Sequence, residues 1–162
     1  MLQRITPNLW FDTQAEEAAN FYVSVFPNSR IVAVAHYTEA GPRAAGMVMT
    51  VEFELSGQRI VAINGGPEFT FDEAISLLVN CETQDEIDYY WEHLLADGGQ
   101  EGPCGWLKDR YGLSWQVAPT GMDALFADPD KSRATRAMQA MFGMRKLDMA
   151  ALQAAADGVP AR

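Results

Sequence analysis

The pattern Thr-Gln-x-Glu occurs twice, at Thr13 and at Thr83, 70 residues apart. In each copy the Thr hydroxyl and the Glu carboxylate suit a capping box, satisfying N–H groups that the first turn of a helix leaves unpaired. Behind each copy apolar residues recur at helical spacing: Ala18, Phe21, Tyr22 and Val25 in the first, Ile87, Trp91, Leu94 and Leu95 in the second. Phe21 and Trp91 fall at the same offset. A repeat of this length restricts the chain to architectures built from two similar units.

Both expected helices follow a short strand and precede several more. "ITPNLWF" stands before the first, with "RIVAVAHY", "GMVMTVEFEL" and "QRIVAI" after it. "AISLLVN" stands before the second, with "CGWLKD" and "LSWQVA" after it. Turn signals separate these runs, among them Pro27-Asn28, Gly41-Pro42, Ser56-Gly57, Gly98-Gly99 and Tyr111-Gly112. The order is β-α-β-β-β, twice, with the second copy shorter.

Strand alternation assigns the faces. Met49, Val51, Phe53 and Leu55 make one apolar face, suited to a helix, while Val48, Thr50, Glu52 and Glu54 make the other. Leu113, Trp115 and Val117 alternate with Ser114 and Gln116, as Pro7, Leu9 and Phe11 alternate with Thr6, Asn8 and Trp10. Polar residues therefore share the face turned away from the helices. Two such units can set their sheets edge to edge, helices outside, and curl the free faces around a cleft. The expected fold is α+β: two β-α-β-β-β modules, residues 1–66 and 67–119, forming a curled mixed sheet around a cleft. A helical extension, 120–162, completes one compact domain.

In that extension, "DPDKSRATRAMQAMF" reads as a helix started by Asp128 or Asp130, with Ala134, Met138 and Met141 on one stripe. "DMAALQAAADG" reads as a second helix, with Asp148 as N-cap and Gly158 at the stop. Packing on the module core is one role for this stretch. An arm in a homodimer is another, since adaptable methionine suits such a surface.

Charge and cysteine usage narrow the function classes. The formal net charge is −10, so phosphate backbones and anionic lipid are repelled, and neither nucleic acid nor membrane is an expected partner. "MLQRITPNLW" lacks the apolar core of a signal peptide, and no apolar run is long enough to span a bilayer. Two cysteines, Cys81 and Cys104, in no close-spaced pair fit a reducing cytoplasm. With only His36 and His93 beside them, they cannot assemble a Cys/His zinc site.

The paired layout resembles the vicinal oxygen chelate superfamily, which includes glyoxalase I, extradiol dioxygenases and bleomycin-resistance proteins. "ITPNLWFDTQAEEAANFYVSVFPNS", "NGGPEFTFDEAISLLVNCETQDEIDYYW" and "GGQEGPCGWLKDRYGLSWQVAP" look like the PhnB-like family, often labelled demethylubiquinone methyltransferase-like. The resemblance extends to "MQAMFGMRKLDMAAL" in the C-terminal stretch. It implies a lyase or oxidoreductase of the glyoxalase or dioxygenase type if the chain is an enzyme. The methyltransferase label finds no support in the residues. Gly65-Gly66 leads into Pro67 and a loop, and Gly98-Gly99 follows a helix, so no glycine turn opens a helix as a cofactor cradle requires.

The superfamily holds a divalent ion on inner strands of both modules. The resemblance places those ligand positions near Thr6, Ala62 or Asn64, Ser76 and Gln116. Hydroxyls and amides are poor ligands for zinc or iron(II), so no cofactor is expected. A divalent ion stays open as an alternative, with Glu52 and His36 as its carboxylate and imidazole or as a proton-transfer pair. The leading expectation is a cytoplasmic homodimer binding a small aromatic or amphipathic metabolite. Trp10 and Trp106 would stack on it, and Asn64, Ser76, Ser114 and Gln116 would supply donors and acceptors. Cys104, near Lys108 and Arg110, is a candidate reactive thiol. An interaction module with an empty cleft is the third expectation. Asp109, before Tyr111-Gly112, reads as a turn former.

Overall fold

The computed structural model describes residues 3–159. The chain divides into two compact units, one ending at Phe71 and the other beginning at Asp72.

The first unit runs β1 (Asn8–Phe11), α1 (Ala15–Val25), β2 (Arg30–His36), β3 (Val48–Leu55) and β4 (Gln58–Asn64). Its sheet has the order β1-β4-β3-β2, with β1 parallel to β4 and the other pairs antiparallel. Val51, Phe53 and Leu55 are buried on the α1 side, as the alternation predicts, and Tyr22 stacks on Phe53 at 6.2 Å between ring centroids. Strand β2 lies at the sheet edge, and register shifts at Ile31/Ala33 and Ala35/His36 interrupt its pairing with β3. Such irregularities blunt an edge against pairing with further strands.

The second unit repeats the order: β5 (Leu77–Cys81), α2 (Gln84–Leu95), β6 (Gln100–Glu101), β7 (Trp106–Lys108) and β8 (Ser114–Pro119). Its sheet has the order β5-β8-β7-β6, with β5 parallel to β8. Ile87, Trp91 and Leu94 of α2 are buried, as are Trp115 and Val117 of β8. The two sheets share one topology. The short β6 and β7 make the second the slighter copy.

The C-terminal stretch belongs to the second unit. It holds three helices where the sequence suggests two: α3 (Met122–Phe126), α4 (Lys131–Phe142) and α5 (Met149–Ala156). Asp130 caps α4 and Asp148 caps α5 through their carboxylates. The buried stripe of α4 is Ala134 and Ala137, while Met138 is exposed. Small residues let α4 approach α5 closely. The segment between these helices straps the unit together: Leu147 is fully buried, its carbonyl accepts from Gln84 Nε2 at 3.1 Å, and Met149 N donates to Gln84 Oε1 at 2.9 Å.

The capping boxes have different fates. At α2 the box forms: Thr83 Oγ1 accepts from Glu86 N at 3.2 Å, and the Glu86 carboxylate accepts from Glu82 N at 2.6 Å. At α1 it does not. That helix begins at Ala15 behind Gln14, with no side-chain bond from the cap residue. Its Ala15 N–H donates to Asn64 Oδ1 at 2.8 Å instead. The amide is anchored further by Nδ2 donating to the Val48 carbonyl at 3.0 Å, and the Asn64 carbonyl accepts from the Tyr37 hydroxyl at 2.8 Å. A buried acceptor held by several bonds displaces an exposed hydroxyl that would stand in water.

Candidate functional site

In the second sheet, residues 114, 116 and 118 of β8 face away from α2. Strand pairing sets Trp106 opposite Gln116 on one side and Leu78 opposite Gln116 on the other, so these three form a row across β7, β8 and β5. Lys108 and Ser114 pair in the neighbouring row. A cavity of about 730 Å³ lies over this face, and Met122 and Phe126 of α3 with Met141 and Phe142 of α4 also line it. It is largely apolar with a few polar groups at its floor, the usual composition of a small-molecule site.

The floor is held in place by bonds inside the unit. Gln116 Nε2 donates to Ser76 Oγ at 2.8 Å, which orients the amide and keeps its Oε1 out of that bond. The Ser114 hydroxyl, 1% exposed, donates to the Asp72 carbonyl at 3.3 Å. Lys108 pairs with Glu73, and this bond holds the Glu73 carboxyl below its ordinary range.

Cys104 lies at one margin of the cavity. Its φ is +57° and that of Gly105 is +82°, and the turn closes through Trp106 N donating to the Pro103 carbonyl at 3.0 Å. Glycine is required at 105, because a Cβ there would stand 2.7 Å from the Val117 carbonyl oxygen. The N–H groups of Cys104 and Gly105 donate to the carbonyls of Met144 and Arg145 at 2.8 and 2.7 Å. The C-terminal strap thus fixes the margin of the cavity.

Asp109 supports the floor from beneath. Its Oδ1 accepts from Tyr111 N at 2.8 Å and Leu113 N at 3.1 Å, and its Oδ2 accepts from Trp115 Nε1 at 2.8 Å. A buried carboxylate with three donors pins the hairpin that feeds β8.

Of the residues expected to share a site, the cavity brings together Trp106, Ser114, Gln116 and Cys104, with Ser76 bonded to Gln116. Trp10, Asn64, Glu52 and His36 belong to the first unit and do not line it. Trp10 covers a glycine pair: its Nε1 donates to the Gly66 carbonyl at 2.8 Å, and a Cβ on Gly65 would stand 2.2 Å from the indole ring. Phe69 packs edge-on against it at 5.1 Å. Glu52 forms an ion pair with Arg59 at 2.9 Å, and His36 ends the exposed edge strand β2.

Asn64 requires a correction. Expected on the face turned from the helix, its side chain instead reaches the start of α1, and Ala62 beside it is fully buried on that same side. The register gives the reason. Leu78 pairs with Gln116, and Asn8, 70 residues before Leu78, pairs with Val61. Val61 is therefore the counterpart of Gln116, one residue out of phase with Ala62 and three with Asn64. An odd shift along a strand reverses the face.

The residues at the superfamily's ligand positions are accordingly Thr6, Val61, Ser76 and Gln116, or Ala62 or Asn64 in place of Val61 if the strands are aligned by sequence alone. Neither set fits. Asn64 spends both side-chain polar atoms on backbone partners, Val61 and Ala62 have no donor, and hydroxyl and amide oxygens bind such ions weakly. Among the described residues no three His, Cys, Asp or Glu side chains cluster as a metal would need.

Sequence reasoning missed the apolar wall from α3 and α4. Helical spacing marks apolar residues in that stretch, but which sheet face they cover depends on how the chain returns after β8. Asp123 was missed for the same reason, and the carboxylates Glu73 and Glu101 at the cavity were missed because nothing local marks which sheet face their segments border.

Paired β-α-β-β-β units with this strand order define the vicinal oxygen chelate fold. The family described as 3-demethylubiquinone-9 3-methyltransferase matches residues 3–118, and the chain belongs to this PhnB-like family. The match ends before α3, so the C-terminal helices lie outside it. A putative 3-demethylubiquinone-9 3-methyltransferase, a PhnB protein from Bacillus cereus, is 41% identical, covering 73% of this chain and 100% of its own, with a TM-score of 0.65. Protein PA1353 from Pseudomonas aeruginosa is 19% identical over 73% of this chain and 98% of its own, at a TM-score of 0.59. The fosfomycin resistance protein FosX from Listeria monocytogenes is 13% identical over 74% and 93%, at 0.50. The last two share the fold alone. No curated protein matches the chain.

Proposed function

We propose that this chain binds a small metabolite with an aromatic or amphipathic body in the cavity of the second unit, without a chelated metal. The observation that carries the reading is the cavity itself. Its volume of about 730 Å³ suits a drug-sized molecule, and Trp106 and Gln116 stand side by side on its floor beneath the apolar side chains of α3 and α4. The indole offers a stacking face, and the oriented Gln116 amide offers a directional hydrogen bond.

Chemistry on the ligand has less support. Methyl transfer, which the family description names, needs a glycine turn opening a helix. Here Gly65 is covered by Trp10, Gly98-Gly99 leads from α2 into β6, and the single Gly121 that follows β8 opens a helix, α3, of only five residues. For proton transfer, Glu52 is already paired with Arg59. The reading includes a cytoplasmic homodimer, in keeping with the exposed Met138 and Phe142 on α4.

Native mass spectrometry of the protein purified from cells tests the proposal. A discrete adduct is expected, lost in Trp106→Ala and weakened in Gln116→Leu. Members of a thermal-shift panel of aromatic compounds should raise the melting temperature of the wild type, that of Gln116→Leu less, and that of Trp106→Ala not at all. An adduct-free spectrum together with no shift across the panel overturns the reading.

A further inference from the structure

We infer that the cavity of the second unit selects for charge: it takes an apolar or aromatic body bearing a positively charged nitrogen and disfavours the matching anion. The inference rests on the small-molecule reading above and names its ligand class.

The charged side chains lining the cavity are three carboxylates, Glu73, Glu101 and Asp123, and a single ammonium, Lys108. Lys108 is already paired with Glu73, so the two cancel. That leaves Glu101 of β6 and Asp123 of α3. Glu101 Oε1 accepts from Trp91 Nε1 at 3.3 Å, and its Oε2 lies 3.6 Å from Nη1 of Arg145, an exposed side chain that does not line the cavity. Asp123 stands in the first turn of α3. An anion entering this space meets surplus negative charge and no uncommitted cation among the described lining residues. A cation meets the Asp123 carboxylate, with Glu101 partly offset by Arg145. The apolar walls strengthen the preference, since low-dielectric surroundings focus a field that bulk water would damp.

Two neutral features act in the same direction. The Trp106 ring attracts a cation to its face. The Gln116 amide spends an N–H on Ser76, so its oxygen is the group suited to receive a donor such as an ammonium N–H. Asp123, Phe126, Met141 and Phe142 all lie beyond residue 118, where the family match ends. The charge preference is thus written partly in the C-terminal helices.

Fluorescence titration of the full-length protein with three probes tests this. N-phenyl-1-naphthylamine is neutral, 1-anilinonaphthalene-8-sulfonate carries the same body with a sulfonate, and berberine is a planar cation. The neutral probe and berberine should bind, with the sulfonate roughly tenfold weaker than its neutral counterpart at low salt. Asp123→Asn and Glu101→Gln, singly and together, should strengthen sulfonate binding and weaken berberine while leaving the neutral probe unchanged. High salt should erase the difference. Phe126→Ser should weaken all three, which locates the probes in this cavity. Sulfonate binding as tight as the neutral probe, or indifferent to the two substitutions, overturns the charge preference and leaves the binding site standing. Absence of binding by any probe overturns both.

Discussion

The first helix of each module begins under different control. Asn64, 49 residues away in the chain, holds the start of α1. Thr83 and Glu86, inside one turn, hold the start of α2. The counterpart of Asn64 in the second module is Pro119, which has no side-chain acceptor, so that module needs its local box. Each unit also buries a polar side chain that holds several hydrogen bonds, at a place of its own. Asn64, 1% exposed, ties a helix to a sheet, and Asp109, 2% exposed, ties a turn to an indole. Duplicated halves can thus keep one topology while moving the polar anchor. The anchor's job is to satisfy backbone groups that the fold must bury, and any residue that reaches them will serve.

Substitutions at these anchors sharpen the contrast. Asp109→Ala should have the largest effect, destabilising by about 3–5 kcal/mol, because three donors, two of them buried, lose their acceptor. Urea unfolding followed by tryptophan fluorescence would measure it, and a loss near 1 kcal/mol would mean that water replaces the carboxylate. Asn64→Ala should cost about 2–4 kcal/mol in the same assay, since Ala15 N and the Val48 carbonyl are left without their side-chain partner. Thr83→Ala should cost about 1 kcal/mol, while Thr13→Ala should fall within measurement error. Equal losses at the two threonines would restore the symmetric picture that the sequence suggests.

The smallest expected effect concerns the thiols. Burial, with the Glu86 carboxylate as a lesser cause, pushes the Cys81 thiol up to about 11. At pH 8, iodoacetamide should therefore modify Cys104, which is partly exposed, and leave Cys81 unmodified until denaturant is added. Comparable labelling of both in native protein would show that the second unit opens readily. The same shift has a sign for stability. The unfolded thiol ionises before the folded one, so Cys81's contribution is fully present below about pH 9 and lost as the pH rises toward about 11.

Much of the site was legible in particular residues. Alternation in "LSWQV" assigned Trp115 and Val117 to the core and Gln116 to the opposite face, because strand side chains alternate regardless of context. Asn64 was placed by the superfamily's ligand position and not by alternation, which sets it with Ile60 and Ala62 on the α1 side. The sequence offers two adjacent apolar runs there and no mark of the register between β1 and β4, and a shift of one residue exchanges the faces. Trp10 was legible as facing away from α1, but not as the cover of Gly65. That use depends on where β4 ends in space.

The repeat, the helical stripes and the turn residues were sufficient to determine two β-α-β-β-β units, because periodicity and backbone preference act over a few residues and need no partner. Which acceptor caps α1 and which helices wall the cavity were decided only in three dimensions. Each of those outcomes rests on a bond or a burial between segments distant in sequence, and local spacing carries no record of it.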